Sequence, residues 1–284
     1  MADRERSDAE TLDGIRYEAP AEGVARIVLA RPDARNAQDK PMLYALNAAF
    51  DRAAHDDSVR VIVLAADGPH FSSGHDLRDA SSLDDFDPVG TWGGTKLPGA
   101  EGLMAVEQEI YLGFCWRWRN LPKPTIAQVQ GKTIAGGLML AWVCDLIVAA
   151  DDATFSDPVV AFGVNGVEYF GHPWVVGARK GQEMLFTGEP LGAEEARQLG
   201  MVNRVVPAAE LADATLALAR HIAARPSMGL KLAKQSVNQM QDAQGLWTSL
   251  QAAMSLQQLG HANNQQVHGL IVDPAGFDII RAQA

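Results

Sequence analysis

Residues 127–150 read AQVQGKTIAGGLMLAWVCDLIVAA, and this stretch decides the fold class. It opens as a short apolar strand, and a glycine-containing turn over residues 130–137 follows directly. The apolar run over residues 134–150 contains Gly136 and is interrupted by Asp145, so it predicts a buried helix leading into a buried strand rather than a membrane span. We therefore predict a strand–turn–helix–strand unit within a mixed α/β protein.

The chain on either side continues the same pattern. Residues 24–30 and residues 59–66 predict buried strands, and a helix between them is expected to begin near Asp39. Residues 79–102 are rich in Ser, Asp, Gly and Pro, which predicts a long mobile loop and a candidate lid. Beyond Pro207, helical patterns follow one another with no strand between them.

These patterns divide the chain into three regions. Residues 1–14 begin MADRERSDAE, whose charges argue against a signal peptide and predict a flexible polar leader. Residues 15–207 form the predicted α/β core, and residues 208–284 form a predicted helical C-terminal region.

Composition excludes several classes of function. The 284 residues carry 24 Lys and Arg against 35 Asp and Glu, a formal net charge of −11, so neither a nucleic acid nor an anionic membrane is expected as a partner. With only Cys115 and Cys144, a disulfide framework and a four-ligand zinc site are both unavailable, and a reducing, cytoplasmic location is expected. The seven histidines show no metal-ligand spacing, and we predict no metal.

A second turn, GPHFSSGHDL over residues 68–77, follows the strand that ends at residue 66. The carboxyl ends of strands are where α/β sheets bind ligands. In the first turn, a helix beginning near Gly136 would leave its first backbone N–H groups unpaired. Two such amides pointing at one place would form an oxyanion hole, although the spacing of the turns taken alone favours a purely structural role.

Four segments together resemble the crotonase (enoyl-CoA hydratase/isomerase) superfamily. They are LARPDARNA at residues 29–37, HFSSGHDL at residues 70–77, the stretch at residues 127–150, and FTGEPLGAEEARQLGMVNRVV at residues 186–206. The resemblance implies a spiral of repeated ββα units, followed by a helical C-terminal region that assembles homotrimers or dimers of trimers.

The resemblance also implies a substrate and a binding site. The family acts on acyl-CoA thioesters, so coenzyme A is part of the substrate and no separate cofactor is expected. The N–H groups that stabilise the thioester enolate carry over to His75 and Gly136. The positions that cradle coenzyme A carry over to Ala34, Arg35, Ser73, Asp76, Leu77 and Arg78.

The sequence departs from the hydratases at both catalytic glutamates. The first position is occupied by Met139 and the second by Val159, and neither side chain transfers protons at neutral pH. Glu168 lies about where other superfamily members place a catalytic aspartate, and it is the first candidate for the acid or base. His172 and Asp157 are further candidates. An apolar pocket around Glu168 would raise its pKa.

Two hypotheses follow, and a third stays open. The first is an active lyase or isomerase of this family that performs isomerisation, hydrolysis or atypical hydration of an acyl-CoA with Glu168 or a neighbour. The second is an acyl-CoA-binding protein without catalysis, motivated by Met139 and Val159. The third is an α/β protein unrelated to coenzyme A.

Overall fold

The N-terminal edge of the structure is a hairpin. The computed structural model describes residues 11–283, so the first ten residues of the predicted leader lie outside the described residues. Residues 11–14 were predicted to belong to the flexible leader, but β1 (Thr11–Leu12) pairs antiparallel with β2 (Ile15–Ala21). The turn between them includes Gly14 at a φ of 77°, and the Gly14 carbonyl accepts a hydrogen bond from the chain after β3.

Strands and helices alternate up to residue 206, and helices follow. The further strands are β3 (Val24–Leu29), β4 (Val61–Ala66), β5 (Thr125–Val129), β6 (Lys132–Ile134), β7 (Leu146–Ala150), β8 (Thr154–Ser156), β9 (Leu191–Gly192) and β10 (Arg204–Val206). The α-helices are α1 (Lys40–His55), α2 (Gly99–Glu107), α3 (Phe114–Arg119), α4 (Gly136–Trp142), α5 (His172–Val175), α6 (Ala178–Thr187), α7 (Ala193–Gln198), α8 (Leu211–Ala223), α9 (Ser227–Ala243), α10 (Leu246–His268) and α11 (Gly276–Gln283). A π-helical segment, Gln108–Gly113, joins α2 to α3.

The main sheet has the strand order β1-β2-β3-β4-β5-β7-β10. Strands β3, β4, β5, β7 and β10 pair in parallel, whereas β2 is antiparallel to both of its neighbours. Both faces of the parallel strands carry buried apolar side chains, as expected for a sheet covered on both sides. Helix α1 and the π-helical region pack on one face, and α8 packs on the other, so α8 is a layer of the core.

The chain repeats a strand–strand–helix path between the main sheet and a smaller one. From β5 in the main sheet it enters β6 in the small sheet and then α4, and from β7 it enters β8 in the same way. The small sheet has the order β6-β8-β9. With α8 to α11 after β10, this arrangement confirms the predicted α/β fold with a helical C-terminal region.

An extended segment, residues 71–76, lies between the turn after β3 and strand β6. On one edge, Ser72 forms a parallel bridge with Thr133 of β6. On the other edge, His75 forms a parallel bridge with Gln38. The two turns singled out in the sequence therefore meet across this segment.

Asn36 fixes the turn after β3. Its side chain is fully buried and its φ is 52°, in the left-handed region that asparagine tolerates. The side-chain amide donates hydrogen bonds to the carbonyl oxygens of Asp67 and His70, at 2.9 and 3.0 Å, and its oxygen accepts the amide of Arg31 at 2.9 Å. This one side chain thus holds the turn after β3 against the turn after β4.

The loop predicted to be mobile over residues 79–102 is shorter than predicted, and hydrogen bonds hold it near its middle. Helix α2 already begins at Gly99. The buried carboxylate of Glu109, in the π-helical segment, accepts hydrogen bonds from the amides of Val89 and Gly90, at 2.6 and 2.8 Å. The composition of the loop could not predict these hydrogen bonds, because their acceptor, Glu109, belongs to a later element.

We predict that Asn36→Ala lowers the free energy of unfolding by about 3 kcal/mol, because three hydrogen-bonding groups lose their partner and alanine is disfavoured at this φ. Urea denaturation at fixed protein concentration measures the change. Asn36→Gly is the matched variant: it loses the same hydrogen bonds but accepts the left-handed φ, so a smaller loss is expected. A loss below about 0.5 kcal/mol for Asn36→Ala would contradict this role.

Candidate active site

A cavity of about 350 Å³ opens beside the two turns. The extended segment contributes Ser73 and His75, and the chain before α4 contributes Ile134 and Ala135. Further polar side chains that line it come from six parts of the chain, namely His75, Glu107, Tyr111, Glu168, Gln257, His261 and Arg281. Apolar residues of the C-terminal segment, including Phe277 of α11, complete the wall.

Two backbone N–H groups beside this cavity have no acceptor within residues 11–283. The amides of Gly74 and Asp76 are bonded within the extended segment and to Gln38, which leaves the amide of His75 free. The amide of Gly136 is the first of α4, and it also donates no hydrogen bond. The residue before it, Ala135, has a φ of 49°, which turns the chain sharply at this point.

The glycines at these turns are required by close contact. A Cβ on Gly74 would lie 2.9 Å from the carbonyl oxygen of Ile134 and 3.1 Å from the amide nitrogen of Gly136. A Cβ on Gly136 would lie 2.6 Å from Cε1 of His75. The two turns therefore touch, and the predicted donors His75 and Gly136 are neighbours in space.

The imidazole of His75 is a central part of the site. Its ring stacks on Tyr111, with 3.9 Å between the ring centroids. Its Nε2 lies 3.0 Å from a carboxylate oxygen of Glu168, and its Nδ1 has no partner in the described residues. The sequence indicated the backbone amide of His75, and only the fold shows which carboxylate its side chain contacts.

Glu168 is the only one of the three predicted acid or base candidates that lines the cavity. Its carboxylate is almost completely buried and accepts hydrogen bonds from His75 and from the side-chain amide of Gln257, at 3.0 Å each. Burial favours the neutral acid, but the charge and hydrogen bond of His75 outweigh it and lower the pKa of Glu168. The expected upward shift is therefore wrong, because the pocket around Glu168 is not purely apolar.

The sequence reading missed a second acidic group. Glu107 is buried at the end of α2, with one carboxylate oxygen 3.1 Å from Nε2 of His261 and the other bonded to Gln258. Burial raises the pKa of Glu107, whereas the pKa of His261 is raised because its contact with Glu107 outweighs burial. A buried polar stripe on α10, at helical spacing through Gln257, Gln258, His261 and Asn264, was the available signal.

Asp157 and His172 are both fully buried, and they pair with each other at 2.9 Å instead of lining the cavity. The Asp157 carboxylate also accepts the amides of Val159 and Val167, at 3.3 and 3.1 Å. It thereby closes the loop that carries Glu168. The pair therefore stabilises the loop that carries Glu168.

The two positions that carry glutamate in the hydratases are apolar here and are placed differently. Met139 is buried in α4 within the main core and does not line the cavity. Val159 does line it. The cavity therefore presents an isopropyl group where a hydratase would present a second glutamate.

The positions predicted to cradle coenzyme A lie along the turns. Ser73 and Leu77 line the cavity, and Ala34 lies in the turn after β3. Asp76 instead pairs with Arg31 at 3.1 Å. The two predicted cations are both exposed, and these are Arg35 and Arg78.

The described residues contain neither a metal-binding cluster nor a membrane-spanning helix. Within residues 11–283, no cluster of His, Cys, Asp and Glu side chains has a geometry that could hold a metal ion. None of the helices in that range combines the length and apolar character needed to cross a bilayer.

We predict that Asp157→Asn lowers the free energy of unfolding by about 3 kcal/mol, because it disrupts the fully buried contact with His172 and weakens two backbone hydrogen bonds. Urea denaturation at pH 7 measures the loss. Asp213→Asn, at an exposed position of α8, is the control and should change stability by less than about 0.5 kcal/mol. Equal stability of the two variants would exclude a supporting role for Asp157.

Known proteins resemble this chain over most of its length. A model of the enoyl-CoA hydratase/isomerase family matches residues 19–272. The putative enoyl-CoA hydratase EchA13 of Mycobacterium tuberculosis is 47% identical over 278 residues, which cover 93% of this chain and 87% of that protein. The mitochondrial enoyl-CoA hydratase domain-containing protein 3 of Homo sapiens is 36% identical over 231 residues, 79% of this chain and 67% of that protein. The crystal structure of a probable enoyl-CoA hydratase from Mycobacterium smegmatis has a TM-score of 0.84 at 47% identity, and covers 91% of this chain and 98% of that chain. The chain therefore belongs to the enoyl-CoA hydratase/isomerase family and has the crotonase fold.

Proposed function

We propose that this protein is an enzyme that converts an acyl-CoA thioester through its enolate. The free amides of His75 and Gly136 bind the thioester oxygen, and the carboxylate of Glu168 moves the proton. The observation that carries the proposal is the contact between His75 and Glu168 at 3.0 Å. One residue thus supplies an oxyanion donor through its amide and holds the base through its side chain.

The chemistry follows from where charge develops. Removing a proton next to a thioester places negative charge on the thioester oxygen, and two preorganised N–H groups in a site shielded from water stabilise that charge strongly. The base must be ionised before the reaction. The lowered pKa of Glu168 meets this requirement at neutral pH.

The standard hydration mechanism uses two glutamates, and neither is present here. Met139 and Val159 occupy their positions, and these side chains have no acidic or basic group that could transfer a proton. Glu168 reaches the cavity from the loop before α5 instead. The proposal is therefore family chemistry with the base in a different position.

Coenzyme A is proposed to lie along the turns next to the cavity mouth. Exposed Arg35 and Arg78 supply positive charge for its phosphates in a protein whose net charge is −11. No cofactor beyond the substrate's own coenzyme A is required by this chemistry.

The proposed assembly is a homotrimer or a dimer of trimers built on the C-terminal helices. Large apolar side chains are exposed along α9 and α10, and burying them against other copies would remove apolar surface from water. These residues are Met228, Leu232, Val237, Met240, Leu256, Leu259 and Val267. The cytoplasmic location stays a prediction.

A second candidate function is acyl-CoA binding without catalysis. Its supporting observation is the apolar character of Val159 and Met139. The two functions differ in one measurable property, since only the enzyme exchanges the protons next to the thioester with solvent.

The test is the exchange of deuterium into carbon 2 of hexanoyl-CoA in D₂O, followed by mass spectrometry. We predict exchange with the wild type and a decrease of about 100-fold or more in Glu168→Gln, because the amide cannot accept the proton. Glu183→Gln, at an exposed position of α6, is the matched control and should exchange at the wild-type rate.

The outcomes separate the two functions. Binding of hexanoyl-CoA by calorimetry with no exchange in the wild type would favour the non-catalytic alternative. Exchange that persists in Glu168→Gln would keep the enolate chemistry but assign the base to another residue.

A further inference from the structure

A second cavity lies beside the loop that carries Glu168, between residues 142–146, residues 169–175 and α9, and we call it the α9 cavity. Its volume is about 480 Å³, compared with about 350 Å³ for the cavity at the two turns, and both volumes are typical of small-ligand sites. Tyr169 lines the α9 cavity, whereas its neighbour Glu168 lines the other. Among the described residues none lines both, so the α9 cavity is a separate space.

The walls of the α9 cavity are mainly apolar. They are formed by the end of α4, by α5 and by α9, with Trp142, Val143, Trp174, Val175, Leu230 and Val237. A hydrocarbon chain placed among these side chains would be removed from water, which is favourable in proportion to the apolar area buried.

Two buried donors in the lining have hydrogen-bonding capacity to spare. Trp142 is only 7% exposed, and its indole N–H has no acceptor within residues 11–283. The buried ammonium of Lys234 donates to the carbonyl oxygen of Lys123 at 3.0 Å and pairs with Asp145 at 2.9 Å. These contacts use two of its three N–H groups. A buried donor without an acceptor is costly, so an acceptor inside the cavity would stabilise this arrangement.

Other indole groups in this part of the chain have acceptors. Trp118 is as deeply buried as Trp142, and its N–H donates to Asn47 at 3.2 Å. The N–H of Trp174, which also lines the α9 cavity, donates to Ser249 at 3.1 Å. A purely structural role explains both of these contacts, but it leaves the N–H of Trp142 without a partner.

The charges of the lining favour a negative group. Arg119 and Lys234 are both buried cations of the lining, and Asp145 is its one acid within residues 11–283. Asp145 already pairs with Lys234, whereas Arg119 contacts Asp242, which does not line the cavity, at 3.1 and 3.4 Å. Burial raises the pKa of the Cys144 thiol to about 12, so this lining residue adds no negative charge at neutral pH.

We propose that the α9 cavity binds a medium-chain aliphatic monocarboxylate. The carboxylate accepts hydrogen bonds from the indole of Trp142 and from the spare N–H of Lys234, and the apolar walls cover the aliphatic chain. This site is separate from the cavity at the two turns and does not depend on the proposed function.

The indole N–H of Trp142 reports directly on occupancy. The probe is sodium octanoate, added to the full-length protein in which the six tryptophans carry ¹⁵N in the indole ring. The Trp142 resonance is identified by its loss in Trp142→Phe. We expect its proton signal to move downfield and saturate, because the N–H gains an acceptor, while the signal of Trp118 stays in place. A Trp142 signal that does not move up to about 10 mM octanoate would overturn the proposal.

Variants measured by calorimetry test the location. Ala233 is exposed on α9 and lines the cavity, so Ala233→Phe should fill part of the space and weaken octanoate binding by about 30-fold. Ala243→Phe is the matched control on the same helix; it is exposed, lies outside the lining and should bind within about twofold of wild type. Trp142→Phe keeps an aromatic ring without the donor and should weaken binding by about tenfold.

A neutral ligand tests the charge of the head group. We expect 1-octanol to bind at least about tenfold more weakly than octanoate, because a hydroxyl brings no negative charge to Arg119 and Lys234. Equal affinity of the two ligands would overturn the assignment to carboxylates.

The remaining outcomes separate the two cavities. Octanoate affinity unchanged in both Ala233→Phe and Trp142→Phe would overturn the proposal, and so would competitive displacement of octanoate by hexanoyl-CoA, which would place it in the cavity at the two turns. Hexanoyl-CoA binding retained in Ala233→Phe would show that the variant is folded; if it is lost there, Trp142→Phe decides. A Trp142 signal that responds to octanoate in a protein that binds no hexanoyl-CoA would support this site while rejecting the proposed function.

Discussion

The site depends on how the extended segment at residues 71–76 is hydrogen-bonded on its two edges. Ser72 bridges to β6 on one side, and His75 bridges to Gln38 on the other. The bridge to Gln38 uses the carbonyl of Gly74 and the amide of Asp76, so the amide of His75 itself has no acceptor among the described residues. Because the same segment brings the start of α4 into contact, the second free amide lies next to the first. Backbone amides without an acceptor are uncommon in folded proteins, and for this reason the proposed oxyanion hole is assigned to these two.

Within residues 11–283, the carboxylates in the cavity beside these amides form no ion pair with lysine or arginine. Lysine and arginine neutralise carboxylates elsewhere, as in the pair of Lys234 with Asp145 at 2.9 Å. In the cavity, imidazoles and side-chain amides take that place. A fixed cation would hold each carboxylate permanently ionised, whereas a histidine allows protons to be taken up and released near neutral pH. Residues 139 and 159 are not glutamates in this chain, and the two acids in the cavity, Glu107 and Glu168, come from other elements.

Local patterns in the sequence predicted the parts of the fold that local forces determine. The strands and the glycine turns follow from short-range hydrophobic pattern and from glycine chemistry, and Gly136 was identified on that basis. The side-chain contacts within the site were not predictable in this way, because they join residues far apart in sequence. His75 and Glu168 are 93 residues apart, and Gln258 and Glu107 are 151 apart. Proximity in sequence suggested Asp157 and His172 as catalytic candidates, but packing turns both away from the cavity.

In the proposed function, the amides of His75 and Gly136 polarise a bound thioester carbonyl. The direct measurement is the carbonyl stretch of hexanoyl-CoA labelled with ¹³C at carbon 1, recorded by difference infrared spectroscopy on a saturated complex. Two hydrogen bonds from preorganised amides should move the band to a lower frequency than the same thioester shows in water. A band at the frequency found in water, or above it, would contradict the account.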